Sequence, residues 1–445
     1  MKRRIIWIVM TVIITLAFVS CEDSAHEPES EPLTPMKVED ASEHISSFGE
    51  PVEELRGVYI ATVYSNDFPS KAGLDAKSLS EELDEIVERT AALGCNAIYF
   101  QVRPACDAFY KSDIFPVSEY LTGTVGGELP DGFDPLAYLI EIAHERGIQV
   151  HAWVNPLRVT RGSVSSPKTD TEALAEGSPA RVRPELTVAY AGELYFDVGI
   201  PDARRLVADG VLEIVRGYDV DGILFDDYFY PYPKAGYEFD DSISFAEYGS
   251  DYSGGVTDIG DWRRENINKM VKLCYETIKR ADESCRFGIA PFGIWRNDDG
   301  ENSGSATSGF ESYESLYCDT LAWIRGGYVD YVAPQIYWNF SLDVAPYGVL
   351  ADWWDAQTAG TGVDLYISHA AYKSGTSEWS FAHAVSEMTE QIDYARMLEA
   401  YRGSIMYGFE QIRRDTDGVA AELTECYDGD VLYFSTEYGK YLYME

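Results

Sequence analysis

Short apolar runs alternate along this chain with stretches whose apolar residues recur at helical spacing. Leu55–Val63 opens the series as a candidate strand. Leu79, Leu83, Ile86, Val87 and Leu93 then share one helical face, with Ser78 and Glu81 as a capping box and Gly94 as the stop. Cys95–Arg103 predicts a second strand. Asp134 caps the next helix, Pro135 takes its first position, Leu136, Leu139, Ile140 and Ala143 form its stripe, and Gly147 ends it. Ile148–Asn155 follows as a third strand, then a long loop, then a helix from Pro201 striped by Ala203, Leu206, Val207, Val211, Ile214 and Val215. The fourth strand lies in Val220–Pro231, an apolar run that ends in Asp226 and Asp227.

A second long loop, Tyr232–Gly260, reads as a lid or binding loop. A helix starting at Asp261 precedes a strand at Arg286–Trp295. The series continues with a helix around Tyr313–Gly326, a strand at Tyr331–Trp338, a helix near Tyr347–Gln357 and a strand at Leu365–Tyr372. A helix over about Phe381–Tyr401, a strand at Ser404–Glu410 and a last helix or loop complete it. Eight strands alternating with helices predict an α/β fold, a (β/α)8 TIM-type barrel. The expectation is a single catalytic domain with long βα loops. An open doubly wound sheet is disfavoured, because no Gly-rich phosphate loop follows the first strand.

The start of the chain changes the picture. Lys2, Arg3 and Arg4 precede an apolar run, Ile5 to Ser20, that stops at Cys21. This is the pattern of a signal peptide, and the run is short for a membrane span. Phe18-Val19-Ser20-Cys21 resembles a lipobox, so Cys21 is the expected lipidation site. An uncleaved N-terminal anchor is the alternative. The expected organisation is therefore a lipoprotein signal peptide over 1–21, a disordered acidic tether over 22–50, and the barrel over 51–445. The expected location is extracytoplasmic, in the cell envelope, with the membrane reached through the lipid anchor.

The formal charge of −40 repels phosphate backbones and excludes nucleic acid as a partner; neutral or amino-bearing glycans remain compatible. The seven cysteines form no CxxC, and besides Cys21 they read as buried thiols. Nothing points to association, so a monomer is expected. HExxH, GxSxG and Walker patterns are lacking, and with six His a His-rich zinc site is disfavoured. No cofactor or resident metal is expected, although a divalent ion on Asp226 and Asp227 stays open at this level.

In a parallel barrel, chemistry gathers at the C-terminal ends of the strands. Those ends carry Gln101 and Arg103; His151, Trp153 and Asn155; Asp226, Asp227 and Tyr228; Trp295 and Arg296; Gln335, Tyr337, Trp338 and Asn339; His369 and Tyr372; and Glu410. Acids, amides and aromatic faces together suit a carbohydrate. Asp226 and Asp227 are the candidate catalytic pair, because glycoside hydrolysis needs one acid and one charge-stabilising carboxylate. Side chains alternate along a strand, so Leu224, Asp226 and Tyr228 share the inward face. Asp226 is then expected to stay ionised beside Arg103, and Asp227 to carry the raised pKa. Arg103, Trp153, Asn155, Tyr228, Trp295, Gln335, Tyr337 and Trp338 are the candidate substrate contacts, with Gln335 and Tyr337 bonding an acetamide. Blander roles stand beside these. The three tryptophans can be loop core, Arg103 can be a plain ion-pair partner, His151 a bonded core histidine, and Glu410 ordinary surface.

Longer motifs carry a resemblance. ELRGVYIATV, NAIYFQVRP, DPLAYLIEIAHERGIQVHAWVNPLRV, YFDVGIPDAR, DVDGILFDDYFYPYP, WRRENIN, FGIAPFGIWRN, DYVAPQIYW and the pair Trp353-Trp354 occur in this order from about Glu54 to Tyr372. The chain thereby resembles the bacterial glycosyl hydrolase-like family ten. The resemblance implies a TIM-type barrel acting on glycans, and one branch, an envelope lipoprotein, cuts peptidoglycan strands that have lost their peptides. The strand-four motif is also distantly similar to chitinase-type barrels, but Tyr228 stands where those carry a glutamate acid. The expected activity is hydrolysis of an N-acetylated cell-wall or related polysaccharide, peptidoglycan glycan strands first. A catalytically silent glycan-binding lipoprotein and a two-carboxylate glycosidase on non-acetylated sugars are the alternatives.

Overall fold

A computed structural model of the protein describes residues 52–251, 258–301, 304–376, 384–429, 432–435 and 441–444. The expected signal peptide, Cys21 and the tether lie outside the described residues.

The alternation of runs becomes a closed barrel of eight parallel strands. The strands are β1 (Leu55–Ile60), β2 (Ala97–Arg103), β3 (Gln149–Val154), β4 (Gly222–Phe225), β5 (Arg286–Ile289), β6 (Tyr331–Val332), β7 (Asp364–His369) and β8 (Tyr401–Met406), each paired with the next, and β8 with β1. The main helices between and after them are α1 (Ala76–Ala92), α2 (Pro135–His144), α3 (Pro201–Gly217), α4 (Ile259–Ala281), α5 (Thr320–Gly326), α6 (Tyr347–Thr358), α7 (Ala384–Arg396) and α8 (Val419–Cys426).

Alternation along the strands sorts two apolar layers. Val58, Ile98, Val150, Ile223, Phe287 and Ile367 pack outward under the helices. Tyr59, Tyr99, Leu224, Tyr331, Tyr366 and Ile405 fill the barrel interior. So many rings fit because small residues face them. A Cβ on Gly288 would lie 2.0 Å from the Tyr331 ring, and one on Gly222 2.4 Å from the His151 imidazole. Two interior hydroxyls are paired, Tyr331 with His151 Nδ1 at 2.9 Å and Tyr59 with Ser368 at 2.8 Å.

Beneath the barrel, Glu54 is fully buried. It accepts hydrogen bonds from Arg56 Nε at 2.9 Å and from Arg396 Nε and a second Arg396 nitrogen, both at 2.9 Å. Arg56 in turn donates to the Tyr427 carbonyl at 2.8 Å. The network joins β1, α7 and the segment after α8.

Several expected boundaries shift for local reasons. The cap of α1 is Asp75, whose carboxylate accepts from the Ser78 amide, so Ser78 lies within the helix rather than at its cap. α4 begins at Ile259 with Asp258 as its cap, two residues ahead of the expected start at Asp261. The helix expected around Tyr313–Gly326 is two pieces, Ser312–Ser315 and α5, separated where Tyr317 takes φ 55°. β5 and β6 stop before Pro291 and Pro334, which have no N–H for the ladder; only isolated bridges, Phe292 with Gln335 and Gln335 with Ser368, continue it. The expected last helix or loop also holds a small antiparallel sheet of Val52–Glu53, Leu432–Ser435 and Tyr441–Met444.

Candidate active site

The ladder of β4 ends at Phe225, and the next two residues project into a cavity of about 350 Å³ at the C-terminal ends of the strands. Asp226 and Asp227 form part of its wall with Tyr59, Trp153, Tyr228 and Tyr232. Phe292, Gln335, Tyr337, Trp338, Tyr372 and Tyr407 complete the lining. Leu224 belongs to the interior layer, so alternation turns Asp226 inward.

Asp226 is held from three sides. Trp153 Nε1 donates to its Oδ2 at 3.0 Å, Asn155 Nδ2 to the same oxygen at 3.3 Å, and the Tyr228 amide to Oδ1 at 3.2 Å. Asp227 accepts from the Tyr232 hydroxyl and from the Gln335 side chain. Burial nonetheless pushes both carboxyls up. Asp226 rises to about 7, through burial first and the neighbouring Asp227 charge second, opposed by Arg158, Trp153 and the Tyr228 amide. Asp227 is raised by burial and pulled back by Tyr232 and Gln335. Asp226, which faces the Asp227 charge, is thus shifted toward holding a proton, while Tyr232 and Gln335 favour the charged form of Asp227. The raised Asp227 carboxyl matches the expectation from the sequence; the raised Asp226 carboxyl, expected to stay ionised, does not.

The expected cation is also different. Arg103 lies outside the barrel wall, its guanidinium 3.7 Å from the centre of the Phe115 ring and against Gly210 of α3. The ladder between β2 and β3 shifts register between Gln101 and Arg103, and that irregularity turns Arg103 away from the mouth. Arg158 takes the place assigned to it: its guanidinium lies 4.2 Å from the centre of the Tyr228 ring, and its charge acts on Asp226. The Asn155 side chain supports this, accepting from the Arg158 amide at 3.1 Å. Trp295 is the second departure. It stacks on Trp353 at 5.7 Å and packs edge-on to Tyr313, away from the cavity. Because β5 stops at Ile289, strand alternation does not govern Trp295.

Trp153, Tyr228, Gln335, Tyr337 and Trp338 do meet at the cavity, and Asn155 stands behind Asp226. Tyr337 stacks on Tyr407 at 5.9 Å. His151 is buried in the barrel and bonded to Tyr331; burial lowers its pKa to about 3 and keeps it neutral. Glu410 is paired with Arg413 and Arg414 and does not line the cavity. Gln101 ties down the loop after β1, accepting from the Thr62 and Val63 amides at 3.0 and 2.9 Å. Reading strand ends alone missed Arg158, Tyr232 and Tyr407. The first two sit in the motifs NPLRV and YFYPYP, past the strands, where the motif itself was the available signal.

Comparison with known proteins identifies the family. The sequence model of the family described as Glycosyl hydrolase-like 10 matches residues 54–383. The chain belongs to this family. Glycosyl hydrolase YngK of Bacillus subtilis (strain 168) is 42% identical over 375 residues, 83% of this chain and 71% of the relative. Glycosyl hydrolase DigH of Escherichia coli (strain K12) is 32% identical over 415 residues, 89% of this chain and 91% of the relative. Among solved structures, the endo-1,4-beta-mannanase of Rhizomucor miehei shares the barrel, with TM-score 0.51 at 11% identity over 85% of this chain and 95% of that one. As a member of this family the chain is a glycosidase with a glycan substrate, and its paired aspartates are set in an aromatic cavity suited to sugar rings.

Proposed function

We propose that the cavity hydrolyses O-glycosidic bonds of an N-acetylated polysaccharide, with peptidoglycan glycan strands as the favoured substrate. The observation that carries the reading is the adjacent buried pair at the end of β4, Asp226 bonded by Trp153 and Asn155 and Asp227 by the Tyr232 hydroxyl. Asp226, its carboxyl raised to about 7, gives its proton to the leaving glycosidic oxygen. Asp227, whose charged form is favoured by hydrogen bonds from Tyr232 and Gln335, stabilises the positive charge that grows at the anomeric carbon. The C–O bond breaks with its electron pair going to the protonated leaving oxygen, and water supplies the new hydroxyl, its other proton returning to Asp226. Trp153 and Trp338 offer ring faces to the pyranoses, and Gln335 and Tyr337 offer polar groups to an acetamide.

The assay uses purified glycan strands stripped of their stem peptides, with products read by mass spectrometry. Asp226→Asn and Asp227→Asn should each lower turnover by about 10² or more while remaining folded. Wild-type rates in both variants would overturn the roles, and no products from the parent would overturn the substrate.

The proposal extends to an envelope location, with 1–21 as the leader, 22–50 as the tether and Cys21 as the lipidated residue. Cys21→Ala should leave the membrane fraction or remain unprocessed. Unchanged fractionation and unchanged processing together would remove the anchor from the proposal.

A further inference from the structure

The chain after β7 makes a single turn, Ala371–Lys373. The Tyr372 amide donates to the Tyr407 carbonyl at 2.8 Å, which pins that turn to the chain leaving β8. The approach is close: a Cβ on Gly408, whose φ is 116°, would lie 2.3 Å from the Tyr372 nitrogen. Tyr372 and Lys373 are thereby brought to the wall of the cavity that holds Asp226 and Asp227. Lys373 is half-buried. Its Nζ donates to the Tyr337 carbonyl at 2.7 Å and lies 5.8 Å from the centre of the Tyr372 ring. The ammonium is set between two residues of the wall, and Lys373 is the one cationic side chain among the described residues that line the cavity.

A neutral N-acetylated sugar does not call for a cation. It calls for ring faces and amide or hydroxyl groups, and Trp153, Trp338, Gln335 and Tyr337 supply those. An ammonium in the same wall suits an anion. The rest of the molecule repels one, because two carboxyls share the cavity and the formal charge is −40. An anionic substrate therefore needs a cation where its own charge comes to rest, and a half-buried pair is screened less than an exposed one. In a peptidoglycan strand the chemistry of that anion is defined. Muramic acid carries a lactyl ether that ends in a carboxylate once the stem peptide is gone. With the peptide attached, the same carbon is a neutral amide.

We propose that Lys373 is a specificity-determining residue that binds the lactyl carboxylate of a peptide-free muramic acid unit. The Tyr337 carbonyl fixes the ammonium in place for that contact. The proposal rests on peptidoglycan strands as the substrate. It adds the group by which such a strand is told from a chain of N-acetylglucosamine alone, and the side chain that reads it.

Binding and cleavage are measured apart. In an Asp226→Asn background, which slows turnover, a tetrasaccharide alternating N-acetylglucosamine and N-acetylmuramic acid is titrated calorimetrically beside its lactyl methyl ester. A tetrasaccharide alternating N-acetylglucosamine and glucuronic acid carries its carboxylate on the ring instead. The free lactyl acid should bind ~10-fold more tightly than the ester, the worth of one charge-assisted hydrogen bond. Lys373→Gln keeps an N–H for the Tyr337 carbonyl and should abolish that preference, whereas Lys373→Arg should retain it. An ester bound as tightly as the free acid would overturn the proposal. So would a preference that survives in Lys373→Gln, the sign of a merely structural lysine, or a Lys373-dependent preference for the glucuronic acid chain over the lactyl one. Failure of the substrate reading looks different: the free acid would bind in preference to the ester, yet the parent enzyme would cleave no stripped strand.

Discussion

Burial raises both carboxyls of the Asp226–Asp227 pair, and their neighbours separate them. Asp227 receives the Tyr232 hydroxyl and the Gln335 amide, groups that favour its charged form. Asp226 meets that charge at close range and holds its proton up to about 7. Activity should then fall as pH drops through the Asp227 pKa and fall again above about 7, when Asp226 loses its proton. Tyr232→Phe deletes the donated hydrogen bond but keeps the ring that stacks on Phe310 at 5.2 Å. Without that donor the Asp227 pKa rises, so the acidic limb of the kcat/KM profile should move to higher pH. The alkaline limb should move little. An acidic limb that stays in place would show that Tyr232 does not tune the pair.

At the scale of elements, periodicity located the second and third strands well, because Gly94 and Gly147 mark their starts and Asp134 with Pro135 caps the helix between them. It located the inward face of β4 for the same reason: a strand of period 2 leaves no freedom once Leu224 is in the interior. The errors have a common origin in interrupted ladders. Counting from Tyr99 and Gln101 puts Arg103 inside, and the register shift after Gln101 puts it outside. The runs Arg286–Trp295 and Tyr331–Trp338 read as single strands, but Pro291 and Pro334 end them early, and Trp295 leaves with the loop. Bulges and breaks depend on what the neighbouring strand offers, and a single strand's sequence does not contain that. The same holds for the Asp226–Asp227 division. The pair was legible as adjacent acids at a strand end, whereas its partners come from β3 and the loops after β3, β4 and β6.

At the scale of the molecule, several carboxyls share the condition of the catalytic pair. Burial raises Asp67, Asp107 and Asp197 each to about 6, and Asp226 to about 7. Each binds a proton more tightly folded than unfolded, where Asp titrates near ~4. The folded state thus holds more protons between roughly pH 4 and 7, so stability declines as pH rises through that window. The formal charge of −40 acts in the same direction, since protonation relieves self-repulsion. Calorimetry should therefore give a higher Tm at pH 5 than at pH 8. A Tm that climbs between those values would show that ion pairs elsewhere dominate.

The Glu54 network has a further consequence for what counts as one folding unit. The recognisable family signature ends at residue 383, yet Arg396, the closing strand β8 and the cavity residue Tyr407 all lie beyond it. A fragment cut at that boundary would keep seven strands and lose the eighth. It would expose β1 and β7 as bare edges and strand Glu54 as a buried anion without Arg396. The shortest autonomous piece of this protein is longer than its signature, and its first strand waits on residues made hundreds of positions later.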